Sequence, residues 1–334
     1  MTINRTVGRQ AASFGLLLLA SAAMVLPGCR TNVAGRKVLA IGGLSKQEEI
    51  ALGVESTPQM VQEFGGEVSN PALASYVDGV GHKLAAVTEG DNPSLPWKFT
   101  LLNSDVINAF ALPGGKVFVS RGLAEKMSNE AQLAGVVGHE IGHVTARHTS
   151  ERFAQSNVAQ AIGAGVGIGL GAGGAGEGVQ AVAGYAVNLG GSTILLKYSR
   201  DQESEADYLG MRYMSRCMYN PLAQRQVMEI LAREAGAGSS PEFFATHPAP
   251  ATRIGRVQKL LDTEFAATQN NPQYQLFEDR FRKEFLAKLS LLPPPPLTEP
   301  TSVLAANLQQ TRIAIGDPES WCAICAAKRN HPSN

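Results

Sequence analysis

The sequence has no surplus of either charge: Lys and Arg together number 29, and so do Asp and Glu, among 334 residues. Proteins that grip nucleic acid through its phosphates need a basic surplus or a basic face. The basic residues here are dispersed and lack the interleaved aromatics of a single-strand-binding surface, so no nucleic-acid partner is expected. Cysteine is scarce, at four residues. Cys322-Ala-Ile-Cys325 has the spacing of a redox pair or half a zinc site, but a structural zinc site needs four ligands and only His331 lies nearby. No βαβ pattern surrounds the pair to support a thioredoxin-like use, which leaves a local disulfide or free thiols. Internal repeats are absent, and the tail has room for one helical repeat of about 34 residues at most, too few for a solenoid. With 44% hydrophobic and 17% charged residues, the composition is neither disordered nor fibrous. It suits one globular core with a smaller appendage.

Apolar runs long enough for a comfortable membrane span, about 20 residues, are also missing. The acid-free run from Ala11 to Leu26 follows Arg5 and Arg9 and precedes Leu26-Pro27-Gly28-Cys29. That order of basic region, apolar region and small residues reads as an export signal over residues 1–28. A cysteine directly after Gly28 resembles the bacterial lipobox, in which Cys29 is lipidated and becomes the first mature residue. The alternative is an ordinary signal peptide with an incidental cysteine, because Pro27 stands where Ala or Ser is usual. Arg30 rather than Asp follows the cysteine, which by the same resemblance implies the outer membrane in a cell with two membranes. From Ala161 to Gly191 the chain is dominated by Gly, Ala and Val, interrupted by Glu177 and Asn188 and poor in Leu, Ile and Phe. A flexible cover over a site is expected there rather than a membrane span.

Between these segments the pattern is mainly helical. Ser45-Lys-Gln-Glu48 is a capping box that opens one helix, and Asn70-Pro71 opens another, with Leu73, Val77, Val80 and Leu84 at helical spacing. Trp97 to Leu102 and Lys116 to Ser120 read as strands, joined by a segment containing residues 108–115. Ser128 is the expected cap of a helix that carries Leu133, Val136, Val137, Ile141 and Val144. Further helices are expected around Glu203 to Met214, Pro221 to Ala232, Arg253 to Phe265 and Phe277 to Leu289. Pro293 to Pro296 is a polyproline spacer.

The helix after Ser128 contains His139-Glu-Ile-Gly-His143. Histidines four apart share a helix face and can chelate one ion. Imidazole suits Zn²⁺, whose catalytic sites take three protein ligands and activate water by lowering its pKa to about 7. Glu140, beside the first histidine, is placed to act as general base. His148 lies about 140° around an ideal helix from His143 and reads as a surface or supporting residue. The acidic segment 199–207 is the better source of a third ligand. Glu203 and Asp207 face the same way, so one can ligate while the other accepts a ligand histidine's free N–H. Asp201 and Glu205 read as a solvated acidic face, although spacing alone does not choose Glu203 over Glu205.

Four ordered motifs, Asn108 to Gly115, His139 to His148, Tyr198 to Asp207 and Thr246 to Ile254, resemble the gluzincin metallopeptidase family of the CAAX prenyl proteases and HtpX-like proteases. The likeness is greatest to its periplasmic lipoprotein branch. It implies an α+β, zincin-like fold, mainly helical, with a small sheet beside the histidine-motif helix. It also implies one Zn²⁺ per chain on His139, His143 and Glu203, with Asp207 behind a ligand and Glu140 as base. His247 matches a position near the metal, where it would stabilise an oxyanion, occupy the open metal position, or simply pack against the second zinc helix. Residues 108–115 would lead into an edge strand beside the cleft, putting Asn108, Ala109, Phe110 and Ala111 near a substrate strand. The prenyl-protease branch has several membrane spans and some periplasmic relatives carry a helical-repeat domain; neither is visible here.

The expected organisation is a signal (1–28), a linker after lipidated Cys29 (29–44), a zinc peptidase domain (45–290), and a Pro-rich spacer with tail (291–334). The expected function is hydrolysis of internal peptide bonds in unfolded or misassembled envelope polypeptides. The enzyme would be exported and lipid-anchored at the periplasmic face of the outer membrane. The rival expectations are a lipid-anchored chaperone or scaffold with a plugged zinc site, and a regulated peptidase with one dedicated substrate.

Overall fold

A computed structural model of the chain describes residues 29–39, 42–90, 92–157, 198–236, 243, 247 and 251–296. The expected export signal, the Gly-rich segment 161–191 and the Cys322–Cys325 pair lie outside the described residues. Among those described, no helix is long and apolar enough to cross a membrane.

Helix α1 (Lys46–Glu63) starts at Ser45, whose side chain accepts from the Glu48 N–H while Glu48 accepts from the Ser45 N–H. Helix α2 (Pro71–Ala85) starts at Asn70, with proline at its first position. Three strands follow: β3 (Lys98–Leu102), β4 (Ala109–Leu112) and β5 (Lys116–Ser120). Their order is β3-β5-β4, with β5 parallel to β3 and antiparallel to β4. The segment 108–115 therefore contains a strand of its own. β4 is the edge, and the strand it leads into, β5, is central. All four β4 side chains are buried, so the polar–apolar alternation that announces a half-exposed strand is missing. In the β4–β5 turn Gly114 has φ 74°, and a Cβ there would meet the α1 backbone at Ile50.

After the short helix α3 (Arg121–Ala124) comes the motif helix α4 (Glu130–Ala146). Its cap is Asn129, one residue beyond the expected Ser128. Asn129 Oδ1 accepts from the Gln132 N–H at 2.9 Å, and Gln132 Oε1 accepts from the Ser128 N–H at 2.7 Å. Nearly every α4 residue is buried, the polar Glu130, Gln132, His139, Glu140 and His143 included. α2, β4, β5, α5 (Arg200–Arg216) and α6 (Leu222–Gly236) all pack on α4. Leu73, Val77, Phe99, Leu101, Val117, Val119, Leu133, Val137 and Ile141 share one core. Each such side chain contributes about 1.5–3 kcal/mol of burial free energy. Arg147 then adopts a left-handed conformation (φ 60°) and ends α4; residues 148–157 form a separate helical stretch.

Helix α7 (Ala251–Asp262) packs on α5 and α6. A final helix, α8, runs through Glu278–Arg280, Phe281–Leu286 and Ala287–Leu289 with π-type turns at its centre. Its Arg280, with the Tyr76 and Tyr219 hydroxyls, donates to the buried Glu130 at the start of α4. At the other end of the chain, the stretch expected as a linker is partly folded. β1 (Cys29–Thr31) and β2 (Lys37–Leu39) form an antiparallel hairpin. Arg36 fastens it with a two-pronged ion pair to Glu151, at 2.8 and 2.5 Å.

Candidate metal centre

Helices α4 and α5 approach unusually closely. A Cβ on Gly142 would lie 2.9 Å from the Ala206 carbonyl oxygen and 3.0 Å from its Cα. One on Gly210 would lie 2.9 Å from the His139 backbone nitrogen. Glycine on both helices removes the side-chain layer that ordinarily keeps helix axes about 8–10 Å apart. This closeness lets short-reaching donors on two helices converge.

The donors are His139 and His143 from α4, Glu203 from α5, and His247. All four are buried, with one ligand atom of each lying within 4.8 Å of the others. His139 Nε2 and His143 Nε2 stand 3.1 Å apart. Glu203 Oε1 is 3.4 Å from His143 Nε2, and Glu203 Oε2 is 3.7 Å from His139 Nε2. Ligand distances of about 2.0–2.1 Å around a tetrahedral Zn²⁺ imply donor separations of about 3.3–3.4 Å, and the observed values bracket that edge. His247 Nδ1 lies 3.4 Å from His139 Nε2 and 2.8 Å from Glu203 Oε1. It therefore supplies a fourth vertex of similar size. Buried, mutually facing nitrogens and carboxylate oxygens form a donor set that fits a metal ion.

Supporting residues fix the ligands. His139 Nδ1 is 2.9 Å from Asp207 Oδ1, so the ring can donate there and turn Nε2 toward the cluster. Arg253 of α7, whose partners no sequence pattern named, donates to both oxygens of Asp207 at 2.9 and 2.6 Å. It also pairs with Glu203 Oε2 at 2.5 Å. Gln224 of α6 donates to Asp207 as well, at 3.2 Å; nothing in the sequence pointed to it. Tyr198 stacks on the His143 ring at 3.8 Å between centroids, and Phe243 stacks on His247 at 4.2 Å. The tyrosine opens the third matched motif and was legible there, whereas Phe243 was not.

Charge follows from these contacts. Burial pushes the Glu203 carboxyl up, but His247 and Arg253 outweigh it and hold the group well below the usual carboxylate range. Asp207 is likewise held down, by Arg253 and His139 against its burial. Burial drives His143 well below its ordinary value, which keeps the ring neutral and able to ligate. Glu140 differs from these carboxylates. It is fully buried, neither of its oxygens accepts a hydrogen bond from a described residue, and burial raises its pKa. Its nearest basic group is His247 Nε2, at 3.6 Å.

One expectation requires correction, and one open alternative is decided. Glu205 is not part of a solvated face: it is buried and accepts from Arg36 Nε at 2.6 Å, whereas Asp201 is exposed as expected. Of the two readings open for His148, supporting or surface, the structure takes the supporting one. The residue is fully buried, with Nδ1 2.8 Å from His143 Nδ1 and Nε2 3.2 Å from Glu205 Oε2. Asn108 and Ala109 to Ala111 are brought to the edge of the sheet, on the flank of α4. The Asn108 N–H donates to Ser120 Oγ at 3.0 Å. No hydrogen bond among the described residues joins these four to the histidines.

Comparison with known proteins points the same way. The chain is 30% identical over 294 residues to the beta-barrel assembly-enhancing protease of Escherichia coli (strain K12), covering 86% of this chain and 54% of that protein. It is 30% identical over 216 residues to the mitochondrial metalloendopeptidase OMA1 of Schizosaccharomyces pombe, 64% of this chain and 61% of that one. To the Arabidopsis thaliana protein of the same name it is 32% identical over 172 residues, 51% and 32% of the two chains. The chain thus spans about half the length of the bacterial relative. The profile described as Peptidase family M48 matches residues 71–261, the span that holds all four donors, Glu140, Asp207 and Arg253. This chain belongs to peptidase family M48.

Proposed function

We propose that the protein is a zinc-dependent endopeptidase with His139, His143 and Glu203 as metal ligands and Glu140 as general base. The observation that carries this reading is Glu140: a buried carboxylate that accepts no hydrogen bond from a described residue, next to a donor set of metal-binding size. A buried carboxylate whose nearest basic group stands 3.6 Å away is costly for folding, and a role in proton transfer explains its retention. Zinc, when bound, supplies Lewis acidity toward water and the peptide carbonyl. Glu140 takes a proton from the attacking water and delivers it to the leaving amine. Asp207 holds His139 in the tautomer that presents Nε2, and Arg253 keeps both Asp207 and Glu203 ionised.

The substrates we assign are unfolded or misassembled cell-envelope polypeptides. An edge strand such as β4 suits chains whose backbone donors and acceptors are free, with Asn108 to Ala111 offering the pairing edge. The relative named as a beta-barrel assembly-enhancing protease supports an envelope setting, as do the export-signal pattern and the lipidation pattern at Cys29. The assigned location is the periplasmic face of the outer membrane.

His247 favours a second, compatible reading, that of a regulated enzyme. Its Nδ1 takes the place of a fourth ligand, and four protein ligands are the mark of a closed site. Phe243, whose carbonyl accepts from the His247 N–H at 2.9 Å, also approaches the start of β4 through Ile107. On casein, Glu140→Gln should lower cleavage by about 10²–10⁴-fold while zinc stays bound; undiminished cleavage would mean the base is misassigned. His247→Ala should raise cleavage if the histidine is a plug and lower it if the ring stabilises the oxyanion.

A further inference from the structure

The two histidines of α4 are steadied from the same helix by two different carboxylates. Asp207 meets His139 directly and is held by Arg253. Among the described residues no carboxylate meets His143 Nδ1; His148 Nδ1 stands there instead, 2.8 Å away. His148 Nε2 lies 3.2 Å from Glu205 Oε2. Glu205 in turn accepts from Arg36 Nε at 2.6 Å and from Asn32 Nδ2. Both Asn32 and Arg36 belong to the N-terminal hairpin, in the turn between β1 and β2. Arg36 is itself fixed by its paired contacts with Glu151, which also accepts from Gln202 at 2.9 Å.

Proton inventory gives this chain of contacts one direction. A histidine that offers Nε2 to a metal must carry its proton on Nδ1. His143 Nδ1–H therefore donates to His148 Nδ1, which must be bare. His148 consequently carries its proton on Nε2 and donates to Glu205. A carboxylate only accepts, so the direction is set at Glu205, and Arg36 and Asn32 hold that acceptor in place. Reversing the sequence would point a proton from His143 Nε2 at His139 and Glu203.

We infer that the N-terminal hairpin is a positioning element of the metal centre, acting from Arg36 and Asn32 through Glu205 and His148 to fix the tautomer and ring of His143. The inference rests on the reading that His139, His143 and Glu203 hold zinc. Glu205, which spacing could not separate from Glu203 as a ligand, thus serves the other histidine from two positions along the helix. The hairpin begins at Cys29, so the element next to the proposed lipid anchor is the one that ends at a metal ligand.

The test is zinc affinity of the full chain, measured by competition with a chromophoric chelator, with melting of the zinc-free protein recorded alongside. Glu205→Gln and His148→Ala are expected to weaken zinc binding by about 10–100-fold, the usual range for residues behind a ligand. Arg36→Met is expected to weaken it measurably and Arg36→Lys less so, since lysine restores a cation but not the fork. If His148→Ala fails to fold, the isosteric Glu205→Gln decides. Wild-type zinc affinity in both Glu205→Gln and Arg36→Met, even with lowered melting temperatures, would overturn the inference and leave the zinc site standing. A wild-type chain that takes up no zinc would overturn the underlying reading as well.

Discussion

Replacing Arg253 with methionine is expected to destabilise the protein by about 3–5 kcal/mol, the range for removing one partner of a buried ion pair. The effect is large because one guanidinium serves two carboxylates. Arg253 pairs with Asp207 through two nitrogens and with Glu203 through the third. Methionine fills a similar volume but leaves both acids buried with only histidines as basic neighbours among the described residues, His247 at Glu203 and His139 at Asp207, and desolvation then weighs toward their protonated forms. A protonated Glu203 is a poor ligand, and a protonated Asp207 no longer accepts firmly from His139. Denaturant unfolding of the zinc-free protein should show the loss directly. Zinc should bind more weakly, and cleavage should fall further than zinc occupancy alone explains. An Arg253→Met variant with wild-type stability and full zinc affinity would show that the pairing is incidental.

The second large effect is expected from a single methyl group. Gly142→Ala puts a Cβ 2.9 Å from the Ala206 carbonyl oxygen and 3.0 Å from Ala206 Cα. Both contacts are backbone, so no side chain can swing away and the helices must separate. Overpacking of this kind costs about 1–3 kcal/mol of stability. The functional cost is expected to be greater than the structural one. His139 and His143 ride on α4 and Glu203 on α5, so separation opens the donor triangle by the same few tenths of an ångström. A misplacement of about 1 Å at a reacting centre can cost about 10²-fold in rate. Gly142→Ala should therefore fold, melt at a lower temperature, and bind zinc and cleave casein poorly. Gly79→Ala is the matching control, since a Cβ there meets nothing within 4 Å. Equal behaviour of the two variants would remove close helix approach from the explanation.

The parts of this site that could be read from the sequence are those governed by local spacing. His139, Glu140 and His143 share a face because a helix repeats every 3.6 residues, and the apolar pattern of α4 identified that helix. The Ser45 capping box and the Asn70-Pro71 start were legible for the same reason. The cap of α4 was misplaced by one residue because Gln132 reaches back to the Ser128 N–H, leaving Asn129 to take the N2–N3 turn. The surface alternative for His148 fails because it rests on a continuing helix. Arg147 turns left-handed, ends α4, and brings the next residue back over His143.

What could not be read depends on long-range partners. Glu205 looks like Asp201 in sequence and differs only because Arg36 and Asn32, from the hairpin, arrive beside it. The hairpin itself looks like a polar linker, since Arg36 holds it by ion pairs to Glu151 and Glu205, and among the described residues its apolar contacts with the core come only from the short side chains of Val33 and Ala34 and from Val38. β4 was hidden for the opposite reason, being buried on both faces. The resemblance singles out His247, and Arg253 lies in the same motif, but it takes the fold to set the first at the fourth vertex and to pair the second with Asp207 and Glu203.

The measurement to make first is the zinc content of the purified protein, taken together with casein cleavage before chelation, after chelation, and after zinc is returned. The site described predicts about one zinc per chain, cleavage lost with the metal, and recovery as zinc is restored to that ratio. A protein that is isolated without zinc, takes none up, and cleaves equally well in the presence of chelator would contradict it.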